Sequence, residues 1–79
     1  MKIRLRYFGM IATRLGKTAE EVVYEGEGMQ IDLRAWLLRL HPELAEAEWK
    51  IAVDQNIVEG PCFIQASSEV VLLPPFAGG

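Results

Sequence analysis

One stretch of this chain, residues 31–40, spaces its apolar side chains with the period of a helix, and it narrows the choice of fold most. Leu33, Trp36, Leu37 and Leu40 fall at i, i+3, i+4 and i+7 and make one stripe. Arg34 and Arg39 lie off it. Asp32 near the start complements the positive end of the helix dipole, and Arg39 the negative end. Pro42 stops the helix, because proline disfavours helical backbone in the residue before it. The N-cap falls on Gln30 or Met29, neither of which is a preferred capping residue. The stripe must be buried against something, and the rest of the chain offers strands.

Residues 2–8 alternate, with Ile3, Leu5 and Tyr7 on one side and Lys2, Arg4 and Arg6 on the other. Period two marks a half-buried strand. Phe8 places an aromatic ring on the charged side. Residues 9–18 have no clean period and two glycines, and are expected to connect. Residues 21–25 carry Val22, Val23 and Tyr24, good strand formers, and end at Gly26-Glu27-Gly28. The two strands suit a wide hairpin. Beyond the helix, residues 43–48 are acidic and alanine-rich, with room for one loose helical turn. Residues 49–54 read as a strand around Ile51 and Val53, Asp54-Gln55-Asn56 as a turn, and Ile57-Val58 as a short strand. Gly60-Pro61 breaks the chain. Glu69–Leu73 is apolar and β-branched, a buried strand, and Pro74-Pro75 ends regular structure.

One helix with four to five strands cannot close a standard barrel. The simple solution is α+β: a mixed sheet with one main helix packed across a face, two layers over one core. That is the β-grasp, or ubiquitin-like, arrangement. The continuous Val70-Val71-Leu72-Leu73 run calls for a strand buried on both faces, paired in parallel with the first strand at the sheet centre. The expected organisation is one domain, residues 1–73, followed by an extended tail, residues 74–79.

A chain of 79 residues has a thin core and no room for a deep catalytic pocket beside it. The one cysteine, Cys62, cannot form an internal disulfide, and no Cys/His cluster offers a metal site. Lys2, Arg4 and Arg6 interrupt any leader-like apolar run, and no run is long enough for a membrane span. These features fit a cytoplasmic chain with no membrane association. The net charge of −3 argues against nucleic-acid binding, and the Lys2/Arg4/Arg6 stripe reads as the solvent side of a strand.

The chemistry is expected in the tail, Pro74-Pro75-Phe76-Ala77-Gly78-Gly79. Two prolines favour extended backbone and lack donors. At about 3.3 Å per residue, six residues reach roughly 20 Å, far enough to enter another protein's active site. Gly78 and Gly79 have no side chains to obstruct a narrow channel. The Gly79 carboxylate is a poor electrophile, but a nucleotide-dependent partner converts it to an acyl-adenylate. A sulfur donor then displaces the adenylate and leaves a thiocarboxylate. None of these steps needs a catalytic side chain on the carrier.

The segment Leu72-Leu73-Pro74-Pro75-Phe76-Ala77-Gly78-Gly79 resembles the terminal signature of the small subunit of molybdopterin synthase, a ubiquitin-like sulfur carrier family. Residues 3–9, with Tyr7-Phe8, and Ala52-Val53-Asp54-Gln55 are similar to that family as well, so the likeness spans the chain. The resemblance implies a β-grasp fold and a non-enzymatic sulfur-donating subunit of a sulfurtransferase complex. It implies an adenylating enzyme of the ubiquitin-activating type that spends ATP on Gly79, with no cofactor bound to the carrier itself. It further implies that the loaded tail enters the large synthase subunit and gives sulfur to cyclic pyranopterin monophosphate, in molybdenum cofactor biosynthesis. Phe8 and Phe76 match aromatic positions that pack against partners. The sequence departs from the family in Ser67-Ser68-Glu69, where Gly-Asp-Glu is usual, and in Asp54, where asparagine is usual. The alternatives are a carrier for thiamine thiazole or tRNA thiolation, a ubiquitin-like modifier joined through Gly79 to lysines, and an interaction module with an inert tail.

Other residues read as structural. Cys62, in the apolar stretch Pro61-Cys62-Phe63-Ile64, is expected to pack rather than to carry sulfur. His41 ends the helix with no acid partner in sequence. Trp36 lies on the core stripe, Trp49 opens a strand as core or rim, and Glu43, Glu46 and Glu48 form a solvated segment.

Overall fold

The alternation at the N-terminus produces β1 (Lys2–Tyr7): Ile3, Leu5 and Tyr7 are buried, and Lys2, Arg4 and Arg6 are exposed. The computed structural model describes residues 1–25 and 30–75. β2 (Ala19–Val23) pairs antiparallel with β1, placing Val22 opposite Ile3 and Glu20 opposite Leu5. On the other side of β1 lies β5 (Glu69–Leu73), in parallel, with Val70 opposite Leu5 and Leu72 opposite Tyr7. β3 (Lys50–Val53) pairs antiparallel with β5, and β4 (Asn56–Val58) with β3, so the sheet order is β2-β1-β5-β3-β4. The first and last strands therefore do lie side by side in parallel at the centre.

Two helices accompany the sheet, α1 (Gly9–Leu15) and α2 (Leu33–Leu40), with a 3-10 turn over Pro42–Glu46. Leu33 and Leu37 of α2, Leu44 of the turn, and the inward residues of β1, β3 and β5 form one buried cluster. This is the β-grasp arrangement. Trp36 and Leu40 cover the margin of the cluster rather than its centre; the Trp36 ring meets Tyr24 edge-on at 5.4 Å. Trp49 is core. It is 5% exposed, its indole N–H donates to the Leu44 carbonyl at 3.0 Å, and the Arg34 guanidinium lies 4.1 Å above its ring.

Several expectations need correction. Residues 9–18 are mainly helix, not a connection. Ile11 and Leu15 supply an i, i+4 pair toward the core, and the glycines punctuate the helix instead of breaking it. Gly16 takes a left-handed conformation (φ 73°) and returns its N–H to the Ala12 carbonyl at 2.8 Å. The second strand begins at Ala19 rather than residue 21 and ends before Tyr24. The cap of α2 is Asp32, whose carboxylate accepts from the Ala35 N–H at 3.1 Å, neither Gln30 nor Met29. Ile31 lies outside the helix, in a backbone bridge to Cys62. Gly26, Glu27, Gly28 and Met29 lie outside the described residues.

The β3–β4 turn gives Asp54 a structural role. Asp54 and Gln55 both have positive φ, 48° and 72°, as the mirror-image two-residue hairpin turn demands. Asp54 offsets its strained backbone with a second role: its carboxylate accepts from the Glu69 N–H at 2.9 Å and so fixes the start of β5. Gln55 makes no such bond among the described residues. Left-handed backbone costs a non-glycine residue about 1–2 kcal/mol, less the chain entropy that glycine loses. Gln55→Gly is therefore expected to stabilise the fold by roughly 0.5–1 kcal/mol and raise Tm by several degrees in thermal unfolding.

Candidate functional site

The parallel ladder between β1 and β5 ends for a chemical reason. The Phe8 N–H donates to the Leu72 carbonyl at 3.2 Å, and in a parallel ladder the next bond would run from residue 74 to the Phe8 carbonyl. Residue 74 is proline and has no N–H. The Phe8 carbonyl accepts instead from the Ile11 N–H at 3.2 Å, the first turn of α1. The chain thus leaves the sheet at Pro74-Pro75, beside the start of α1, and neither proline is in a strand. The remaining tail residues of the sequence reading, Phe76, Ala77, Gly78 and Gly79, lie outside the described residues.

Two surfaces flank this exit. An open groove of about 510 Å³ runs between α1 and the segment after the 3-10 turn, lined by Met10 and Arg14 on one side, Ala47 and Glu48 on the other, and Pro74 and Pro75. The second surface is the sheet face away from α2. Cross-strand partners share a face, so Arg6, Val71, Ala52 and Ile57 form one row across it, and Leu73 and Lys50 the next. Ile57 is 51% exposed and Phe8 41%. Phe8 stands at the edge of this face with the Arg6 guanidinium 5.3 Å from its ring centre. Among the paired strand residues of this face, four cations, Lys2, Arg4, Arg6 and Lys50, stand with two carboxylates, Glu21 and Glu69, so the paired rows are cationic on a chain of net charge −3. The Arg6–Glu69 pair, 3.5 Å apart and about half exposed, contributes little to stability.

His41 does have an acid partner. Its Nε2 lies 2.5 Å from the Glu20 carboxylate, which also accepts from the Tyr7 hydroxyl and from Lys17 Nζ at 3.4 Å. The sequence reading missed Glu20 because 21 residues separate the pair. A signal existed: Glu20 and Val22 share the inward parity of β2, so a carboxylate on that side needed partners. The cluster joins β1, β2 and the end of α2 within the domain, and each side chain in it is satisfied. Burial raises the proton affinity of the Glu20 carboxyl, but the bonds from Tyr7 and His41, the His41 charge and Lys17 outweigh it and hold Glu20 below its ordinary value. Burial, then the bond and charge of Glu20, push the Tyr7 hydroxyl well above its ordinary value.

Cys62 sits partly buried at the margin of the core with its backbone bonded to Ile31, and burial pushes its thiol up, away from the reactive thiolate. Among the described residues no three His, Cys, Asp or Glu side chains gather as metal ligands, and no helix is long and apolar enough to cross a membrane.

The Glu20 cluster has a pH signature. A carboxyl depressed by folding contributes stability that is fully present above its unfolded value, about 4.5, and is lost as pH falls through the folded value. Denaturant unfolding at pH 7 and pH 3 should show a larger acid loss for the native chain than for Glu20→Gln; equal losses would remove Glu20 from the account.

Three solved structures resemble the chain across nearly its whole length. A Pyrococcus furiosus protein described as molybdopterin converting factor, subunit 1, superposes with a TM-score of 0.81 at 22% identity, covering 96% of this chain and 99% of that one. SAMP1 from Haloferax volcanii gives 0.76 at 19% identity, covering 100% of both chains. A chain of the complex of subunits 1 and 2 of molybdopterin-converting factor from Helicobacter pylori gives 0.68 at 20%, again covering 100% of both. These likenesses establish the fold. The sequence match to the ThiS family model runs over residues 5–79, from within β1 through the rest of the sheet and the proline exit to the terminal glycines, and on that match the chain belongs to the ThiS family.

Proposed function

We propose that the chain is a sulfur carrier that works through the Gly79 carboxylate and donates sulfur in the assembly of molybdopterin. The observation that carries this reading is the family match through Gly79, on a chain whose central strand gives way directly to a proline-initiated tail. The carboxylate attacks the α-phosphorus of ATP on an adenylating enzyme of the ubiquitin-activating type, and pyrophosphate leaves. Hydrosulfide attacks the acyl carbon and AMP leaves, giving the thiocarboxylate. In the large synthase subunit, the thiocarboxylate sulfur forms a C–S bond to a side-chain carbon of cyclic pyranopterin monophosphate as that carbon's C–O bond breaks and the oxygen leaves, linking carrier and pterin through a thioester. Water then cleaves the resulting thioester and restores the carboxylate. Acid–base chemistry belongs to the partners, and ATP is the activating partner's substrate. The carrier supplies reach, a narrow end and a docking surface.

The cationic sheet face with its apolar rows, together with Phe8, suits a partner surface that is apolar at its centre and acidic at its rim. Phe76, two residues beyond Pro74, would extend that anchor along the tail.

Two experiments test this reading. Deleting Gly79, or adding one residue after it, is expected to abolish ATP–pyrophosphate exchange by the activating enzyme and sulfur transfer to the pterin, with an unchanged amide spectrum. Full activity of the extended tail would refute the mechanism, and adducts on many cellular lysines would favour a modifier. Phe8→Ala and Phe76→Ala are each expected to weaken binding to the large subunit by about 1–2 kcal/mol, the scale of an interface aromatic, with little change in Tm. An equal fall in Tm would make these residues structural instead.

A further inference from the structure

Gly9 sits where the domain hands over to the tail, and its backbone does two things that no L-residue does together. Its φ is +58°, in the left-handed region. An added Cβ would meet Pro74 Cγ at 2.8 Å and Cδ at 3.7 Å. A flexible side chain could swing away from such a contact. The proline ring is closed on its own backbone and cannot, so relief has to move the chain at residue 74 or the first turn of α1.

That first turn is held elsewhere. Ile11, two residues on, is buried at 2% exposure, and its N–H bonds the Phe8 carbonyl that Pro74 cannot use. Phe8 in turn is tied to β5 through the Leu72 carbonyl at 3.2 Å. The less anchored side of the contact is the one leading away from β5, at Pro74 and Pro75. The same two prolines line the groove with Met10, 77% exposed, so a shift there alters both the heading of the chain and the surface next to it.

We infer that Gly9 is a positioning residue for the tail: the Pro74 ring, seated on the Gly9 backbone, sets the direction in which the chain leaves β5, and a Cβ at position 9 redirects it while the domain stays folded. The functional side of this inference rests on the carrier reading; the geometric side does not.

The test compares the native chain with Gly9→Ala, with a synthetic chain carrying D-alanine at position 9, and with Pro74→Ala. D-alanine accepts positive φ and directs its methyl to the other side of Cα, away from the Pro74 contact. Pro74→Ala removes the ring carbon but returns an N–H that competes with Ile11 for the Phe8 carbonyl, so it is paired with a synthetic chain carrying N-methylalanine at position 74, which removes the ring carbon alone and keeps the test decisive should Gly9→Ala fail to fold. Residual dipolar couplings report the orientation of residues 74 and 75 relative to the sheet. The kcat and KM of ATP–pyrophosphate exchange on the activating enzyme report delivery of the carboxylate.

The expected result is a rotated 74–75 segment in Gly9→Ala, Pro74→Ala and the N-methylalanine chain, with kcat/KM reduced between about tenfold and a hundredfold, the scale of a misplaced reacting group. Orientation and kinetics should return to native with D-alanine. Native orientation of residues 74–75 in Gly9→Ala and in the N-methylalanine chain would overturn the inference. So would a kinetic loss that D-alanine fails to restore, since that loss would not come from the contact. If the native chain itself is not adenylated, the carrier reading fails, and the couplings alone still decide whether Gly9 directs the tail.

Discussion

Four parallel-paired residues, Arg4 to Tyr7 against Glu69 to Leu72, join the two ends of the chain at the middle of the sheet. Everything else is arranged around that pairing. β2 completes one edge and β3 with β4 the other, so neither central strand presents a free backbone edge. Both are buried on the inward side by Leu5, Tyr7, Val70 and Leu72, which have almost no contact with solvent. The pairing also determines where the last residues begin. It stops at Pro74, which lacks the donor for the next rung, and α1 takes up the carbonyl left over.

A chain this small has little interior left for a reaction centre. The domain of this 79-residue chain places its buried apolar residues in one cluster, and among the described residues the acid–base constellation of Tyr7, Glu20 and His41 spans three elements with its side chains mutually bonded. A glutamate on the inward side of β2 is costly without partners, and the histidine that ends α2 and the tyrosine that ends β1 supply them. This group therefore reads as part of the structure rather than a reaction centre. Among the described residues, exposed apolar side chains include Phe8 and Met10 near the exit and Val23 and Ile57 on the sheet face away from α2, with Met1 and Phe63 exposed as well. On the proposed reading, reactive chemistry falls to the Gly79 carboxylate and to the proteins that would hold it.

Much of this was legible in the residues. Strict alternation in residues 2–7 placed β1 and its buried side, and the Val-Val-Leu-Leu run placed β5 at the centre. The stripe at Leu33 and Leu37 placed α2. The misses share a cause: local signals were ambiguous and tertiary contacts decided them. Two glycines made residues 9–18 look broken, although Gly16 is the cap that a seven-residue helix needs. An aspartate just before a helix suits the dipole and the cap alike, and only the bond from the Ala35 N–H makes Asp32 the cap. His41 was isolated in sequence because its partner comes from a strand across the core. Seating of Pro74 on Gly9 could not be read at all, since it depends on a register that only the folded sheet defines.

The account stands on the Gly79 carboxylate accepting sulfur. The direct measurement is intact mass after incubation with ATP, hydrosulfide and the adenylating enzyme of the same cell, followed by fragmentation. The account predicts a gain equal to one oxygen replaced by sulfur, located at Gly79. An unchanged mass, while the same enzyme preparation converts a control carrier, would contradict it and leave the chain a β-grasp interaction module with an inert tail.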